Sequence, residues 1–228
     1  MQQYKKLILI GTSHIAIESV KEVRRVILTS KPNVVAIELD PIRLNSLLSK
    51  EKRKLRLRDI SQLGLNGFLF NLIGAYLEKK LGKIVNVTPG DDMKAAVDSS
   101  KQIGAELVLI DQDVRITMKK LSRRITWHEK FRFVKDIIIG LVKREKIKIN
   151  LNKVPDKALI EKLTNKIKER YPSVYSVLIS ERNEYMAKNL YRIMQANNSI
   201  VAVVGAGHED EIIRLIEKQE QWNFQKKN

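Results

Sequence analysis

Two short aliphatic segments, one near each end of the chain, are each followed by the sequence Gly-x-x-His. The first is Leu7–Ile10, followed by Gly11–His14, and the second is Ile200–Val204, followed by Gly205–His208. A continuous aliphatic run predicts a strand buried on both faces, as in a parallel sheet covered by helices. The glycine permits a sharp turn into the next helix, and the histidine then lies at the carboxyl edge of the sheet, where open α/β folds bind ligands.

A second strand follows the first through a helical connection. The helix is predicted from Ile17 to Ser30, the strand is Val34–Leu39, and a proline at position 41 begins another helix. Strand, helix and strand at this spacing form a βαβ unit, which is nearly always right-handed. We therefore expect His14 and Glu38 to approach each other across the sheet edge.

The rest of the chain extends this α/β pattern. A third aliphatic strand, Ala105–Ile110, ends in acidic residues, and helices are predicted at Ser173–Gln195 and Glu209–Glu220. The predicted fold is a central, mostly parallel sheet with helices on both faces and a helical insertion or lid. We expect a single α/β domain over residues 1–228, with helical insertions at about 50–88 and 114–170.

Charge and composition restrict the partners. The formal net charge of +17 favours a polyanionic neighbour, either nucleic acid or an anionic membrane surface, although a charged, solvated surface is also typical of thermophilic proteins. Aromatic residues make up only 6% of the chain, without a stacking motif, which argues against nucleic acid. No cysteine is present, and the first aliphatic run is too short for a signal peptide, so we expect a cytoplasmic protein.

A basic segment, Lys50–Arg58, precedes an apolar segment, Leu63–Leu77, that is shorter than the roughly 20 residues needed to span a bilayer. The two segments together are typical of a surface that lies on an anionic membrane or holds a peptide. A lid packed over the sheet, or a contact between copies in a homo-oligomer, would bury the same side chains. The sequence leaves these alternatives open.

The candidate site residues lie at the predicted strand ends. Without cysteine, imidazole and carboxylate are the protein ligands available for a divalent transition metal such as Mn, Co or Zn. His14, Glu38 and His208 would form a set of two histidines and one carboxylate, with an open position for water. The same geometry would also serve acid–base chemistry without a metal.

Further residues are predicted to assist this site. Glu38, Glu181 and Arg182 are the candidate catalytic residues. Glu181 is the candidate proton shuttle, and Arg182 is the candidate group that holds developing negative charge or a substrate carboxylate. Charged groups near the ends of the second and third strands are predicted to contact the substrate: Asp40, Arg43, Asp111 and Asp113. His128 is predicted to be structural. The sequence argues against a dinucleotide site, because Asp210 stands where the third glycine of that motif belongs.

Several of these segments, taken in order, resemble the TraB/PrgY family. The matching segments are Gly11–His14, Val35–Asp40 with Arg43, Pro89–Gly90, Leu109–Asp113, Glu181–Ala187 and Val203–His208. The family usually has Asp-Arg-Asp where this chain has Asp111-Gln112-Asp113. The resemblance covers nearly the whole chain.

The resemblance implies an α/β core, with the shared histidines, glutamate and arginine falling on His14, His208, Glu38 and Arg182. The family includes pheromone-shutdown proteins of conjugative plasmids, and its Tiki-like relatives imply metal-dependent peptide cleavage. A metal-dependent hydrolase acting on peptides is therefore the first functional hypothesis. The second is a module that binds or sequesters a peptide without cleaving it, and the third and weaker one is association with nucleic acid or an anionic membrane.

Overall fold

The computed structural model describes residues 1–13, 17–49, 90–143 and 157–226. A five-stranded sheet forms its centre, and its strands are β1 (Gln2–Tyr4), β2 (Leu7–Thr12), β3 (Val34–Ile37), β4 (Glu106–Leu109) and β5 (Ile200–Gly205). The strand order is β1-β2-β5-β3-β4, with β1 antiparallel to β2 and all other neighbours parallel. The predicted α/β class is confirmed, and β1 is a strand that the aliphatic pattern did not predict.

The described helices are α1 (Ile17–Ser30), α2 (Pro41–Leu48), α3 (Asp91–Ile103), α4 (Val114–Arg124), α5 (Trp127–Lys143), α6 (Lys157–Arg170), α7 (Pro172–Tyr175), α8 (Glu181–Ala196) and α9 (Glu209–Gln225). A π-helical turn, Ser176–Ser180, joins α7 to α8, where the sequence predicted one continuous helix. None of the described helices is both long and apolar enough to span a bilayer.

Helices cover both faces of the sheet. Alternate residues of β5 point to opposite faces: Ala202 packs in a buried cluster with α8 and α9, whereas Val203 packs in a second cluster with α1 and α3. All six residues of β5 are buried. The continuous aliphatic run in the sequence reflects this burial on two sides.

The strand register brings the predicted site residues to one edge. Because β5 lies between β2 and β3, Val203 is paired with both Ile10 and Ile37. The residues that follow β2, β3 and β5 therefore emerge side by side at the carboxyl edge. Glu38 continues the ladder, since its N–H donates to the carbonyl of Val203 at 3.1 Å.

The glycine of the first Gly-x-x-His serves a purpose other than the predicted sharp turn. Gly11 lies within β2, and among the described glycines a positive φ occurs at Gly90 and Gly104. A Cβ atom on Gly11 would overlap the carboxylate of Glu209 and lie 3.1 Å from the Cα of Ala206. Gly11 is therefore required by the close approach of β2 to the start of α9.

Two predicted regions lie partly or wholly outside the described residues. The basic and apolar segments predicted over residues 50–88 fall entirely outside them, as does His14. In the predicted insertion at 114–170, the described parts are the helices α4, α5 and α6. The division into one domain with two insertions stays a prediction.

Candidate functional site

Glu38 is a buried carboxylate at the carboxyl edge of the sheet. It directly follows β3, and only 5% of its surface is exposed. Its Oε2 atom accepts a hydrogen bond from the N–H of Gly205 at 2.6 Å, and its Oε1 atom accepts one from Nη2 of Arg182. Backbone and side-chain donors thus fix the carboxylate from two sides, and charge-assisted bonds of this kind are the stronger ones in proteins.

Arg182, in the first turn of α8, connects Glu38 to a second buried carboxylate. Its Nε and Nη2 atoms donate to Asp111 at 3.1 and 2.6 Å, and its Nη1 atom donates to the carbonyl of Leu178 at 3.0 Å. Burial alone would lower the pKa of Arg182, but the charges of Glu38 and Asp111 and their hydrogen bonds outweigh it and raise the pKa. Every nitrogen of the guanidinium therefore donates to a group of the chain itself.

Leu178 belongs to the π-helical turn that precedes α8. A π turn widens the helix by one residue and leaves its carbonyl groups in an altered pattern, and such turns are frequent at functional sites. Here the turn ends directly before Glu181, and one of its carbonyls receives a hydrogen bond from Arg182. The local irregularity thus helps to position the arginine.

The charge network continues from Asp111 to α2. Nη2 of Arg43 donates to Asp111, and Nε of Arg43 donates to Asp40 at 2.5 Å. Asp40 also caps α2 by accepting from the N–H of Ile42 at 2.8 Å. Burial alone would lower the pKa of Arg43, but Asp111 and Asp40 outweigh it and raise the pKa. Carboxylates and guanidinium groups therefore alternate from Glu38 to Asp40.

His208 follows β5 and faces Glu38. Its Nε2 atom lies 3.5 Å from Oε1 of Glu38, and its side chain is 12% exposed. Its Nδ1 atom lies 2.5 Å from Oδ1 of Asn183. Because an amide oxygen only accepts hydrogen bonds, Nδ1 carries a proton, and Nε2, on the side of the ring away from Asn183, faces Glu38.

The sequence prediction missed Asn183 and Asp92. Asn183 is 1% exposed, and the available signal was its position next to Arg182 in the segment that resembles the TraB/PrgY family. Asp92 is fully buried and accepts from Oγ1 of Thr12 at 2.6 Å, at the end of β2. Gly90 occupies the N-cap position of α3, and Asp92 lies in the first turn of that helix.

Other predicted residues lie outside this network. Glu181 directs its carboxylate to Lys120 at 2.6 Å and to Arg124, so it joins α8 to α4. Burial alone would raise the pKa of Glu181, but these two cations outweigh it and lower the pKa. Asp113 caps α4 and pairs with Arg115, whose hydrogen bond lowers the pKa of Asp113.

The predicted metal ligands are described in part. Glu38 and His208 lie together, and the third predicted ligand, His14, is outside the described residues. Within the described ranges, no three His, Asp or Glu side chains form a group that could hold a metal ion. The donor chemistry of Glu38 Oε1 and His208 Nε2 fits a transition metal, since the ring nitrogen opposite Nε2 is bound to an amide oxygen as in many histidine ligands.

Sequence comparisons place this chain in a known family. The model of the TraB/PrgY/gumN family matches residues 2–226. An uncharacterized protein of Methanocaldococcus jannaschii is 35% identical over 218 residues, which are 94% of this chain and 54% of that protein. TraB domain-containing proteins of Homo sapiens and Mus musculus are 23% and 22% identical, over 89% of this chain and 60% of each relative.

This chain therefore spans little more than half the length of these relatives. The match nevertheless runs from β1 to the end of α9 and includes every strand of the sheet. The chain belongs to the TraB/PrgY/gumN family.

Proposed function

We propose that this chain is a metal-dependent hydrolase that acts on peptides at the carboxyl edge of the sheet. The observation that carries the proposal is the fixed carboxylate of Glu38. It is held by Arg182 and by the N–H of Gly205, and its Oε1 atom lies 3.5 Å from Nε2 of His208. A buried carboxylate and an imidazole held in this way are typical of sites that handle protons or metals.

Glu38 and His208, together with His14, would hold the metal. A bound divalent metal would supply a Lewis acid for the peptide carbonyl and would lower the pKa of water. The chain's own residues set the geometry for this chemistry. Arg182 orients the carboxylate of Glu38, and Asn183 holds the imidazole of His208 with Nε2 towards Glu38.

The substrate would enter from the side of α2. Within the network of Glu38, Arg182, Asp111, Arg43 and Asp40, the side chain of Arg43 is 31% exposed, compared with 14% for Arg182. Arg43 is therefore the member best placed to meet a negative group of a peptide, such as its terminal carboxylate. The contacts of Asp40, Asp111 and Asp113 with the substrate, which the sequence predicts, belong to the same proposal.

The test begins with metal content. Full-length protein purified without a histidine tag is analysed for transition metals, beside the His14→Ala, His208→Ala double variant and a His128→Ala control on α5. We expect near-stoichiometric metal in the parent and the control after titration with Mn, Co or Zn, and none in the double variant. A peptide library is then incubated with the loaded parent, and fragments are identified by mass spectrometry.

Three results would count against the proposal. If the parent retains no metal after titration, the metal-dependent reaction is excluded. If the parent binds peptides with measurable affinity but yields no fragments with any of the three metals, the chain is a peptide-binding module. Turnover that survives in the double variant would also exclude the proposed ligands.

A further inference from the structure

Two exposed aromatic side chains lie together at the start of α5. Trp127 is 71% exposed and Phe131 is 72% exposed. They are four residues apart, so they lie on one face of the helix, and their ring centroids are 6.4 Å apart. Single exposed aromatics are common on protein surfaces, but a contacting pair at this degree of exposure presents a local apolar projection.

The surroundings of this pair are cationic. Between Val114 and Lys135 the chain contains one acidic residue, Glu129, which is 3% exposed. The basic residues of the same stretch are Arg115, Lys119, Lys120, Arg123, Arg124, Lys130, Arg132 and Lys135. We define the aromatic–basic surface as Trp127 and Phe131 with Lys130 and Lys135, which lie on the same helix within three or four residues of these aromatics. Neither cation forms an ion pair within the described part of the chain.

The one acidic residue, Glu129, fixes the start of α5. Oε2 of Glu129 accepts from the N–H of Thr126 at 2.9 Å, and Oγ1 of Thr126 accepts from the N–H of Glu129 at 3.2 Å, which is a capping box. Oε1 of Glu129 also accepts from the N–H of Ser173 at 2.7 Å. The start of α5 is therefore capped and fastened to α7, which fixes the backbone that carries the aromatic pair.

We propose that the aromatic–basic surface docks on an anionic lipid bilayer. Trp and Phe are suited to the boundary between headgroups and acyl chains, and Lys and Arg beside them are attracted to anionic headgroups. The charge complementarity is strong because the exposed charges of the surface all have one sign. This inference goes beyond the proposed hydrolase and does not depend on it.

The arrangement of the rings favours lipid over nucleic acid. Nζ of Lys130 lies 4.3 Å from the ring centroid of Trp127, so it covers one face of the indole. Phe131 is tilted by 37° against the same ring. A platform for base stacking needs an open, flat ring face, whereas insertion among headgroups uses the ring edges that Trp127 and Phe131 expose.

A second aromatic pair in the chain provides a matched control. Trp222 and Phe224 near the end of α9 are 52% and 70% exposed, and Lys226 covers the Trp222 ring at 4.5 Å. Their helix is acidic, however, with Glu209, Asp210, Glu211, Glu217 and Glu220 against Arg214 and Lys218. An anionic bilayer should therefore attract the first pair more strongly than the second.

The experiment is flotation of the full chain with vesicles of phosphatidylcholine, alone or mixed with phosphatidylserine. We expect binding to the mixed vesicles only, and weaker binding as salt is raised. The Trp127→Ser, Phe131→Ser variant should bind more than about tenfold more weakly, because two aromatic side chains no longer enter the interface. The Trp222→Ser, Phe224→Ser variant should bind within about twofold of the parent, since α9 makes no contact with the vesicle.

Circular dichroism and melting temperature verify that both variants fold. The proposal is wrong if the parent does not float with phosphatidylserine vesicles at low salt, or if the two double variants lose binding equally. It is also wrong if a DNA or RNA oligonucleotide binds the parent more tightly than the vesicles do and the Trp127→Ser, Phe131→Ser variant loses that binding, since the surface then serves nucleic acid.

Discussion

His208 donates its Nδ1 hydrogen to Oδ1 of Asn183, with 2.5 Å between the two atoms, and this contact determines which ring nitrogen faces Glu38. Both partners are held by helices: Asn183 lies in the first turn of α8, and His208 is the N-cap residue of α9. Asn183 is therefore a positioning residue, which acts on the site through His208. Replacing the acceptor tests this role without removing any predicted ligand.

Asn183→Leu removes the acceptor but keeps a side chain of similar size. We expect the affinity for the metal to fall about 10–100-fold, which is the usual effect of removing such a partner of a ligating histidine. Asn183→Asp retains an acceptor at the same place and should recover most of the affinity. Isothermal titration with Zn or Co measures both variants, and parent-like affinity in Asn183→Leu would contradict the positioning role.

Arg182→Gln leaves Glu38 and Asp111 buried without their shared cation. Removing one partner of a buried ion pair typically costs about 3–5 kcal/mol, so the free energy of unfolding should fall by that order. Arg182→Lys keeps the charge but lacks the planar fork, and we expect an intermediate loss. Urea unfolding provides the measurement.

The control for Arg182 is Arg214→Gln on α9. The side chain of Arg214 is 74% exposed and pairs with Glu211, so its loss should change stability by less than about 0.5–1 kcal/mol. If Arg182→Gln and Arg214→Gln lower the free energy of unfolding equally, the buried network contributes little to stability.

The strand ends were predictable from sequence, whereas the side-chain partners were not. Aliphatic runs buried on both faces identify β2, β3 and β5, and parallel packing then places the following residues at one edge. The contact between Arg182 and Glu38 joins positions 144 residues apart, and no local pattern encodes it. It depends on how α8 packs on the sheet, which is a tertiary property.

The side-chain direction of Glu181 is a second feature that the sequence alone could not predict. Consecutive helical residues are separated by about 100° around the axis, so Glu181 and Arg182 face different neighbours. The structure directs Arg182 to Glu38 and Glu181 to α4. Helical periodicity implies that only one of the two faces the site, but it does not indicate which one. The sequence predicted Glu181 as the proton shuttle, whereas its contacts with α4 lead us to expect that turnover does not require it.

Glu181→Gln and Glu38→Gln separate the two carboxylates functionally. Because Lys120 and Arg124 hold Glu181 away from the Glu38 network, we expect Glu181→Gln to retain turnover within a few-fold of the parent. It should lose about 0.5–1 kcal/mol of stability, as expected for a partly exposed pair. Glu38→Gln should abolish turnover. The rate of peptide cleavage is measured for both variants. If the two variants lose turnover equally, Glu181 has the proton-shuttle role that the sequence predicted.

The lowered pKa of Asp136 predicts that the stability of the fold depends on pH, independently of the candidate site. Hydrogen bonds from Arg170 and Tyr171 lower the pKa of Asp136 to about 2. A carboxylate with a lowered pKa in the folded state stabilises the fold above its unfolded pKa of about 4, and this contribution disappears as the pH falls towards 2. The contribution is small, because the contact lies near the surface.

We expect the melting temperature of the parent to exceed that of Asp136→Asn by about 1–3 °C at pH 6. The difference should shrink between pH 4 and pH 2, since the parent's carboxylate then takes up a proton. Differential scanning calorimetry at both ends of this range measures the change. A difference that stays constant with pH would show that the ionised carboxylate does not contribute.

Gly11→Ala tests why the first Gly-x-x-His begins with glycine. A Cβ atom at this position would overlap the carboxylate of Glu209 and lie 3.0 Å from its Cδ atom, so we expect a loss of about 1–3 kcal/mol from overpacking. Gly207→Ala is the matched control, because a Cβ there has no atom within 4 Å. Its effect should remain below about 0.5 kcal/mol.

The double variant Gly11→Ala, Glu209→Ala separates steric overlap from backbone strain. Shortening Glu209 removes the overlapping carboxylate, so the loss caused by Gly11→Ala should be smaller in that background than in the parent. The resulting coupling energy is expected to be about 0.5–3 kcal/mol, as for other residues in contact. Additive losses would mean that the alanine is disfavoured by the backbone of β2 or by Ala206. The glycine would then serve the approach of β2 to the segment after β5, where a Cβ on residue 11 would lie 3.1 Å from the Cα of Ala206, rather than the position of Glu209.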